Sequence, residues 1–552
     1  MPDSVRVTFL GGLGEIGRNC AAIEQDGRIV VVDVGLMFPE PTMYGVDIIL
    51  PDFRWLIERK DRVDAIVLTH GHEDHTGALR YLVKDVNVPI YGSALTLGFA
   101  RHRLTEAKVA QDLSFIEVTD GERRRIGPFE VEFIPVTHSV PSAYALAFHT
   151  KVGAIVHSGD FKLDLTPVDG RRTDLNRLAA LGDEGVTLLL ADSTNAEEPG
   201  FTPSESSVGV ALRRLFLERP TRRMVVACFA SHIHRIQQIA DIAHGTGRKI
   251  AFMGRSMEAN VKLARKLHML RVDPADIIDV ENVSRFSPGE VCIVCTGSQG
   301  EPLAVLSKLS RGDARNFKVG ADDTIILSSH PIPGNEWSVG RVIDDLNREG
   351  TEVIDSSREP VHASGHARQG ELRTFQQILR PQNFIPVHGE YRHMVHHADL
   401  AHSMGLTSRH VLICEDGDQV DVTAKGIRRT GQVPAGFHYI DGSAGDLDER
   451  PLEERRMLAE YGVLLISAGV DRDLGKIAQP VTVSARGWFE GAGDADLILH
   501  VTSSVRAAIE EAIAEGNFDG ESLSKVAQRS AGRLLGQRYR RQPVILPAVI
   551  VL

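Results

Sequence analysis

Thr69-His70-Gly71-His72-Glu73-Asp74-His75 is the stretch on which the reading of this chain turns. Val63-Asp64-Ala65-Ile66-Val67-Leu68 before it has the β-branched, apolar character of a buried strand. Thr76 to Val83 after it is expected as a helix. His70, His72, Asp74 and His75 therefore sit on a strand-to-helix turn, where short side chains converge on one point. Imidazole and carboxylate are the donors that zinc and similar divalent ions take. Four protein ligands around one ion make a closed structural site, whereas a catalytic site keeps a position open.

Further ligands stand at the ends of other strand-like runs. Phe133-Ile134-Pro135-Val136-Thr137 leads into His138, Ala154-Ile155-Val156-His157-Ser158-Gly159 into Asp160, and Phe384-Ile385-Pro386-Val387 into His388. With the turn these give seven candidate ligands: His70, His72, Asp74, His75, His138, Asp160 and His388. That is too many for one tetrahedral ion, so two divalent ions are expected. A lone loop histidine is ordinarily a cap or a satisfied polar group, but that does not account for several strand ends supplying the same donors.

Two more polar clusters have the form of anion sites. Ala230-Ser231-His232-Ile233-His234-Arg235 follows a strand and opens a helix, so hydroxyl, imidazole and helix N-terminal N–H groups come together. His362-Ala363-Ser364-Gly365-His366 is the second, with a glycine that allows close backbone approach. Either is otherwise a polar helix or loop cap.

The HxHxDH turn with His138, Asp160 and His388 resembles the metallo-β-lactamase superfamily. The segments between Asp160 and His388 resemble its β-CASP nuclease branch and, within that, the bacterial ribonuclease J family. The resemblance covers residues 5–450 and is less distinctive beyond. It implies an α/β fold: a metallo-β-lactamase αββα sandwich with an inserted parallel-sheet β-CASP domain and a small C-terminal α/β domain. It implies that His70, His72 and His138 hold one ion, that Asp74, His75 and His388 hold the other, and that Asp160 bridges them. Zinc and manganese both accept such sites. Asp33 of Asp33-Val34-Gly35 is implied to support the turn from behind, and Asp192, which ends Leu188–Asp192, to support the active site. Asp74, Asp160 and His366 are the implied catalytic residues, with His366 close to the scissile phosphate. Ser231, His232, His234, His362, Ala363, Ser364, Gly365 and His366 are the implied substrate-binding residues. Thr296–Gly300 and Pro331–Glu336 resemble family loops that shape a nucleotide channel. Gly45, Asp47 and Asp441 match a structural calcium site of some relatives; a solvated turn is the other reading.

The resemblance also implies a function: 5′-to-3′ exonuclease action on single-stranded RNA, preferring 5′-monophosphate ends, with additional endonuclease activity, in RNA maturation and decay. A homodimer or higher homo-oligomer is implied as well. The alternatives are a DNA-directed β-CASP nuclease and a small-molecule metallo-hydrolase of the same superfamily. A histidine at position 388 is typical of the RNA-directed members, and an inserted domain with two phosphate motifs is not a feature of the small-molecule enzymes. A non-catalytic RNA-binding scaffold, the third alternative, goes with lost ligands, and here the set is complete.

Composition bounds these readings. At 552 residues the chain needs several cores. It is 42% hydrophobic and 25% charged, without an apolar run long enough to span a bilayer. The sequence passes from Met1 straight into a strand, so a cytoplasmic location is expected. The net charge of −12 argues against a general nucleic-acid coat, yet a local groove can bind a backbone on an acidic protein. The five cysteines are scattered, and Cys292 and Cys295 lie three apart in an apolar strand, on opposite faces. A buried pair is the better reading than a redox or metal CxxC.

Gly12-Leu13-Gly14-Glu15-Ile16-Gly17 is a literal GxGxxG, with Asp33 placed as a ribose acid would be. No helix pattern starts there. Gln25-Asp26-Gly27 between two strand-like runs signals a hairpin instead, which excludes the dinucleotide reading. Strands are expected over 113–118, 129–136, 144–149 and 153–157. Thr202-Pro203-Ser204-Glu205 has a capping-box spacing. Beyond it, strands Met224–Cys228, Ile250–Met253, Val291–Cys295, Thr324–Ser328 and Glu352–Ile354 alternate with helices such as 233–243 and 257–270, the pattern of a helix-covered parallel sheet. The expected division is 1–207 and 363–445 for the split metallo-β-lactamase domain, 208–362 for the insertion, a Gly-rich acidic linker over 446–460, and a terminal α/β domain over 461–552. That last part is expected to carry strands near 462–467, 480–484, 497–501 and 544–551 and helices 505–514 and 523–535. Arg533, Arg538, Arg540 and Arg541 there are either RNA contacts or a solvated helix end.

Overall fold

The computed structural model describes residues 4–552 apart from 110–111, 302–303, 315–316, 333–334, 443–444, 488–492 and 540–541. It divides into two compact units, one of residues 4–38 and 48–438, the other of 39–47 and 439–552.

The first unit is built on two stacked sheets. One runs in the order Gly426–Gln432, Asp418–Thr423, Val5–Gly11, Cys20–Gln25, Arg28–Val32, Val63–Val67, Ile90–Gly92, Phe115–Glu117. The other runs Asn383–Val387, Val186–Asp192, Gly153–His157, Ala143–Thr150, Phe129–Val136, Arg123–Ile126. Val7, Phe9, Ile23, Val30, Val32 and Val67 from the first sheet meet Phe133, Leu146, Phe148, Leu188, Leu190 and Ile385 from the second in one buried core. Each such side chain contributes about 1.5–3 kcal/mol when fully buried. On the outer face of the second sheet, helices Leu175–Glu184, Gln369–Leu379 and Tyr391–Ser403 bury Leu178, Leu181, Leu372, Phe375 and Ala398. Sequence-distant strands thus become neighbours: Val186–Asp192 pairs in parallel with Asn383–Val387, and Asp192 lies beside Val387.

The insertion forms a five-stranded parallel sheet, in the order Lys249–Met253, Val291–Cys295, Arg223–Ala227, Asp323–Leu327, Glu352–Ile354. Cys292 packs into the core on one face of this sheet and Cys295 into the core on the other, as their spacing requires. Both thiols are pushed up by burial, Cys292 to about 12. The GxGxxG stretch leads into an antiparallel hairpin, Cys20–Gln25 with Arg28–Val32, turned at Asp26 and Gly27, which both have positive φ.

Three expectations need correction. The helix expected over 76–83 is broken into Glu73–Thr76 and Leu79–Leu82. One of its amides is spent elsewhere, since Ala78 N donates to Val34 O at 3.0 Å rather than within a helix. In the second unit, Leu497 to Val501 is not a strand but part of the helix Gly493–Ala514. Leu497, Val501, Val505 and Ile509 are buried at four-residue spacing, a helical period that a short apolar run hides. The segment read as a linker carries a helix, Glu449–Tyr461, which buries none of its residues. It has the i,i+4 pairs Arg450–Glu454 and Arg456–Glu460.

The rest of the second unit is a three-stranded sheet, Lys476–Arg486, Val463–Asp471, Val544–Val551, with helices Gly493–Ala514 and Gly520–Tyr539 packed on one face. Arg540 and Arg541, and the side chain of Arg538, lie outside the described residues, as do Pro333 and Gly334 of the second channel loop.

Candidate metal centre

The ligand-bearing turn begins where the central parallel strand Val63–Val67 ends, and the other donors follow the carboxyl ends of their strands. Their convergence is a consequence of sheet order. The atoms fall into three groups that share one carboxylate: His70, His72, His138 and Asp160; Asp74, His75, His388 and Asp160; and, at the rim, Asp160, Asp192, His366 and His388, of which the first two hold the seven expected ligands. His70 Nε2 lies 3.1 Å from His72 Nδ1, which is 3.2 Å from His138 Nε2. Asp160 Oδ2 has His75 Nε2 at 3.2 Å, His388 Nε2 at 3.3 Å and His70 Nε2 at 3.5 Å. Asp74 Oδ2 is 3.6 Å from His75 Nε2 and 3.7 Å from His388 Nε2.

The far nitrogens of three rings are tied down. Nδ1 of His75 donates to Asp33 Oδ2 (2.8 Å), Nδ1 of His138 to the Gly365 carbonyl (2.9 Å), and Nδ1 of His70 to the Thr69 hydroxyl (3.1 Å). At His70 and His138, which burial keeps neutral, the bond places the proton away from the centre and leaves Nε2 with its lone pair facing inward, the arrangement that orients histidine toward a metal. Asp33 also accepts Thr69 N and Thr69 Oγ1, both at 2.8 Å, so one buried carboxylate fixes the turn and two of its side chains. Gly35 next to it has to be glycine: a Cβ there would lie 1.6 Å from the Asp74 carbonyl oxygen.

Burial pulls His70, His72 and His138 down, His72 to about 4, so these imidazoles are neutral at physiological pH. Burial also pulls on His75 and His388, but the Asp160 charge outweighs it and both are raised. Burial would raise the Asp160 carboxyl, yet His388, His75 and His70 hold it well below its usual range. Asp160 Oδ2 and both ring nitrogens of His388 are buried and make no hydrogen bond. Unpartnered buried polar atoms are costly unless something satisfies them, and neutral imidazoles aimed at each other from about 3 Å are satisfied by a cation between them. The donor set fits two divalent ions. His388 is held in this place against its backbone preference, with φ +52°. Its N–H donates to Gly12 O (3.0 Å), and its carbonyl accepts Ser193 N and Thr194 Oγ1, both at 3.2 Å.

His366 stands at the rim. Its Nδ1 donates to Asp192 Oδ2 at 2.8 Å and lies 4.0 Å from Asp160 Oδ2. Burial opposes its protonation, but Asp192, then Asp160 and Asp74, raise it to about 9. Ser364 Oγ accepts His366 N (3.1 Å) and Asn195 Nδ2 (2.9 Å). Gly365 approaches so closely that a Cβ on it would lie 2.5 Å from His138 Cε1.

The remaining expected substrate residues are not gathered into these groups. His232 is buried, with Nε2 3.5 Å from Glu205 Oε2, and burial lowers it to about 4. His234 Nε2 lies 3.0 Å from Asp169 Oδ2, and Ser231 is half-buried just before the helix Ile233–Gly245. His362 is lowered to about 3 by burial, and Ala363 belongs to the core of the insertion. In the second unit, Asp47 Oδ2 accepts Gly442 N at 2.6 Å, but the guanidinium of Arg455 stands where a calcium was expected. It donates to Asp441 Oδ2 (2.8 Å) and Tyr44 O (3.0 Å), and a Cβ on Gly45 would lie 2.4 Å from Arg455 Nη1. Two residues that sequence reasoning passed over join the centre. Asn19 Nδ2 lies 3.1 Å from His75 Nε2, and Asn195 also donates to the His366 carbonyl at 3.1 Å. Asn195 follows the strand-end acid Asp192 by three residues, a spacing that marks it; Asn19 carries no such signal.

Family models match the whole of this arrangement. Residues 13–214 match the metallo-beta-lactamase superfamily, 221–346 the beta-CASP domain of ribonuclease J, 354–413 the Zn-dependent metallo-hydrolase RNA specificity domain, and 451–552 the ribonuclease J C-terminal domain. Ribonuclease J of Mycolicibacterium smegmatis is 42% identical over 551 residues, covering 100% of this chain and 98% of that one. Ribonuclease J2 of Bacillus subtilis is 36% identical over 549 residues, 99% of each. A protein of unknown function from Enterococcus faecalis shares the fold, with a TM-score of 0.54 at 17% identity over 76% of this chain and 100% of its own. With full-length relatives at this identity and its domains matched in order, the chain belongs to the ribonuclease J family.

Proposed function

We propose that this chain is a two-metal ribonuclease which hydrolyses the phosphodiesters of single-stranded RNA, proceeding 5′ to 3′ from 5′-monophosphate ends and cutting internally as a secondary activity. The observation that carries it is the pair of donor groups joined by Asp160, beside His366 held on Asp192. His70, His72 and His138 would hold one ion, Asp74, His75 and His388 the other, with Asp160 common to both. Two such ions, zinc or manganese, would supply Lewis acidity that eases deprotonation of the attacking water and offsets the charge that develops on phosphorus.

The chain's own residues do the rest. Asp33, Thr69 and the Gly365 carbonyl fix the imidazoles, so little reorganisation is needed when substrate binds. His366 donates its Nδ1–H to Asp192 and offers a proton from Nε2. That proton can go to the leaving oxygen or to a phosphoryl oxygen, a role that contributes about 10²–10⁴-fold. Ser364 and Gly365 flank it, and Ser231 and His234 form the outer part of the phosphate site. Charge-assisted bonds to a terminal monophosphate favour that end over a 5′-hydroxyl. The division into 1–207 with 363–445, 208–362 and 461–552 is part of this proposal, as is a cytoplasmic homodimer. Leu465, Leu546 and Ile550 are exposed on the open face of the terminal sheet, which a second copy would cover. Among the described residues no helix is long and apolar enough to cross a membrane. Arg455 supplies a positive charge beside Asp441, so a calcium there is not part of the proposal.

The test is the decay of one RNA carrying a 5′-monophosphate, 5′-hydroxyl or 5′-triphosphate, with the matched single-stranded DNA. Mononucleotides should leave from the 5′ end, fastest with the monophosphate, and RNA should turn over much faster than DNA. Release from the 3′ end, or equal turnover of RNA and DNA, would overturn the proposal.

A further inference from the structure

Glu371 is fully buried in the described structure, at the third position of the helix Gln369–Leu379, and its carboxylate is held by backbone amides from three separate segments. Oε1 accepts Leu163 N at 2.9 Å, while Oε2 accepts Thr202 N at 2.7 Å and Arg368 N at 2.8 Å. Each amide belongs to a segment that carries part of the site. Leu163 follows Asp160 by three residues, and between them Lys162 N donates to Thr137 O at 2.8 Å, next to His138. Thr202 turns its hydroxyl to the His366 carbonyl at 2.7 Å. Arg368 follows His366 by two residues and bridges to Asn195, which donates to that same carbonyl.

We propose that Glu371 is a positioning residue for hydrolysis, setting the place of His366 relative to Asp160 without touching metal or substrate. A carboxylate is suited to this knot because it offers two oxygens and no proton, so three N–H groups converge on it without conflict. Its charge is stabilised by those amides and by the helix N-terminus. Glutamine keeps the shape but places an NH₂ where one oxygen was, so at least one of the three amides faces a donor. The segment so released moves relative to the other two. A misplacement of about 1 Å at a reacting group costs on the order of 10²-fold in rate. The proposal rests on the centre being a ribonuclease site; RNA cleavage by the unaltered protein, run in parallel, tests that assignment separately.

The experiment compares Glu371→Gln, His366→Ala and the double variant by kcat and KM for a 5′-monophosphate RNA, with circular dichroism and metal content as controls. Glu371→Gln should lower kcat about 10- to 100-fold, leave KM within about threefold, and retain two ions per chain. In the His366→Ala background it should have little further effect, because both changes disable one device. A merely structural role would cost the same factor in both backgrounds, and that result, or an unchanged kcat, would overturn the proposal. If Glu371→Gln does not fold, Thr202→Val tests the same link through the hydroxyl on the His366 carbonyl. It should lower kcat several-fold at constant KM, and a kcat equal to that of the parent protein would overturn the proposal.

Discussion

The Asp160 centre and the Asp47/Asp441 cluster both collect carboxylates at places where sequence points to a bound ion, and they differ in what else is present. Around Asp441 the protein brings its own cation, Arg455, whose guanidinium takes a carboxylate oxygen and a backbone carbonyl. Around Asp160 no lysine or arginine is paired with the carboxylate among the described contacts. Its Oδ2 and the His388 nitrogens have no hydrogen bond, and three neutral imidazoles turn their lone pairs inward. Convergence of acidic groups is therefore a weak sign of a metal site. The stronger sign is a set of buried donors that the protein orients from behind and leaves without a lysine or arginine in front.

That contrast is open to attack at several strengths. The largest effect should come from Asp160→Ala, which removes the only residue common to both donor groups. RNA hydrolysis should fall on the order of 10⁴-fold, as when a central catalytic residue is lost, and both ions should dissociate at low micromolar metal. Retention of both ions would break the contrast at its root. His366→Ala should cost about 10²–10⁴-fold in kcat with the metal content unchanged; loss of an ion would make it a ligand instead. Asp33→Asn, which alters only the support behind His75 and Thr69, should weaken metal binding or turnover about 10- to 100-fold, read by metal titration and initial rates.

Stability tests sharpen the other side, where charge is paired internally. Arg235 binds Glu205 through Nη2 to Oε2 at 2.8 Å, and also holds the carbonyls of Ser328 and Val361 at 2.8 and 2.9 Å. Burial would raise the Glu205 carboxyl, but Arg235 and His232 hold it well below its ordinary value. Its contribution is thus complete above the unfolded carboxyl pKa of about 4.3 and is lost as pH falls through the depressed folded value. Glu205→Gln should cost about 3–5 kcal/mol at pH 7, because it strands a buried arginine. Melting curves from pH 7 downward should show the gap to the parent protein closing below about pH 4; a gap constant with pH would contradict the assignment. The smallest effect is at Arg455. Its pair with Asp441 is partly exposed, so Arg455→Met should cost no more than about 1 kcal/mol. Calcium should leave the melting temperature of the parent protein unchanged and begin to raise it in that variant.

Much of this was legible in the sequence, for identifiable reasons. A ligand at a strand end is a local pattern, and Thr69–His75, His138, Asp160, Asp192 and His388 all announce themselves so. The parallel sheet of the insertion was visible because its strands are buried on both faces and read as unbroken apolar runs. What failed was decided by partners that no local pattern reveals. The helix after His75 breaks because the Ala78 amide and the Glu73 and His75 carbonyls pair with the Val34–Leu36 segment. The contact of His232 with Glu205, 27 residues earlier, is likewise invisible in the local pattern. Arg455 meets Asp441 only through folding, and Glu371, three backbone amides from three segments, leaves no trace in composition or spacing. The helix over 497–501 was missed for the opposite reason, because a short apolar run fits either period.

The most direct test of the central claim is the number of divalent ions bound per chain, measured by elemental analysis of the purified protein and of Asp74→Ala/His75→Ala, with RNA hydrolysis followed on the same samples. The parent protein should hold two zinc or manganese ions. The double variant should hold one, remain folded, and lose nearly all hydrolysis. A parent protein with one ion, or a double variant with two ions and full activity, would contradict the two-metal centre.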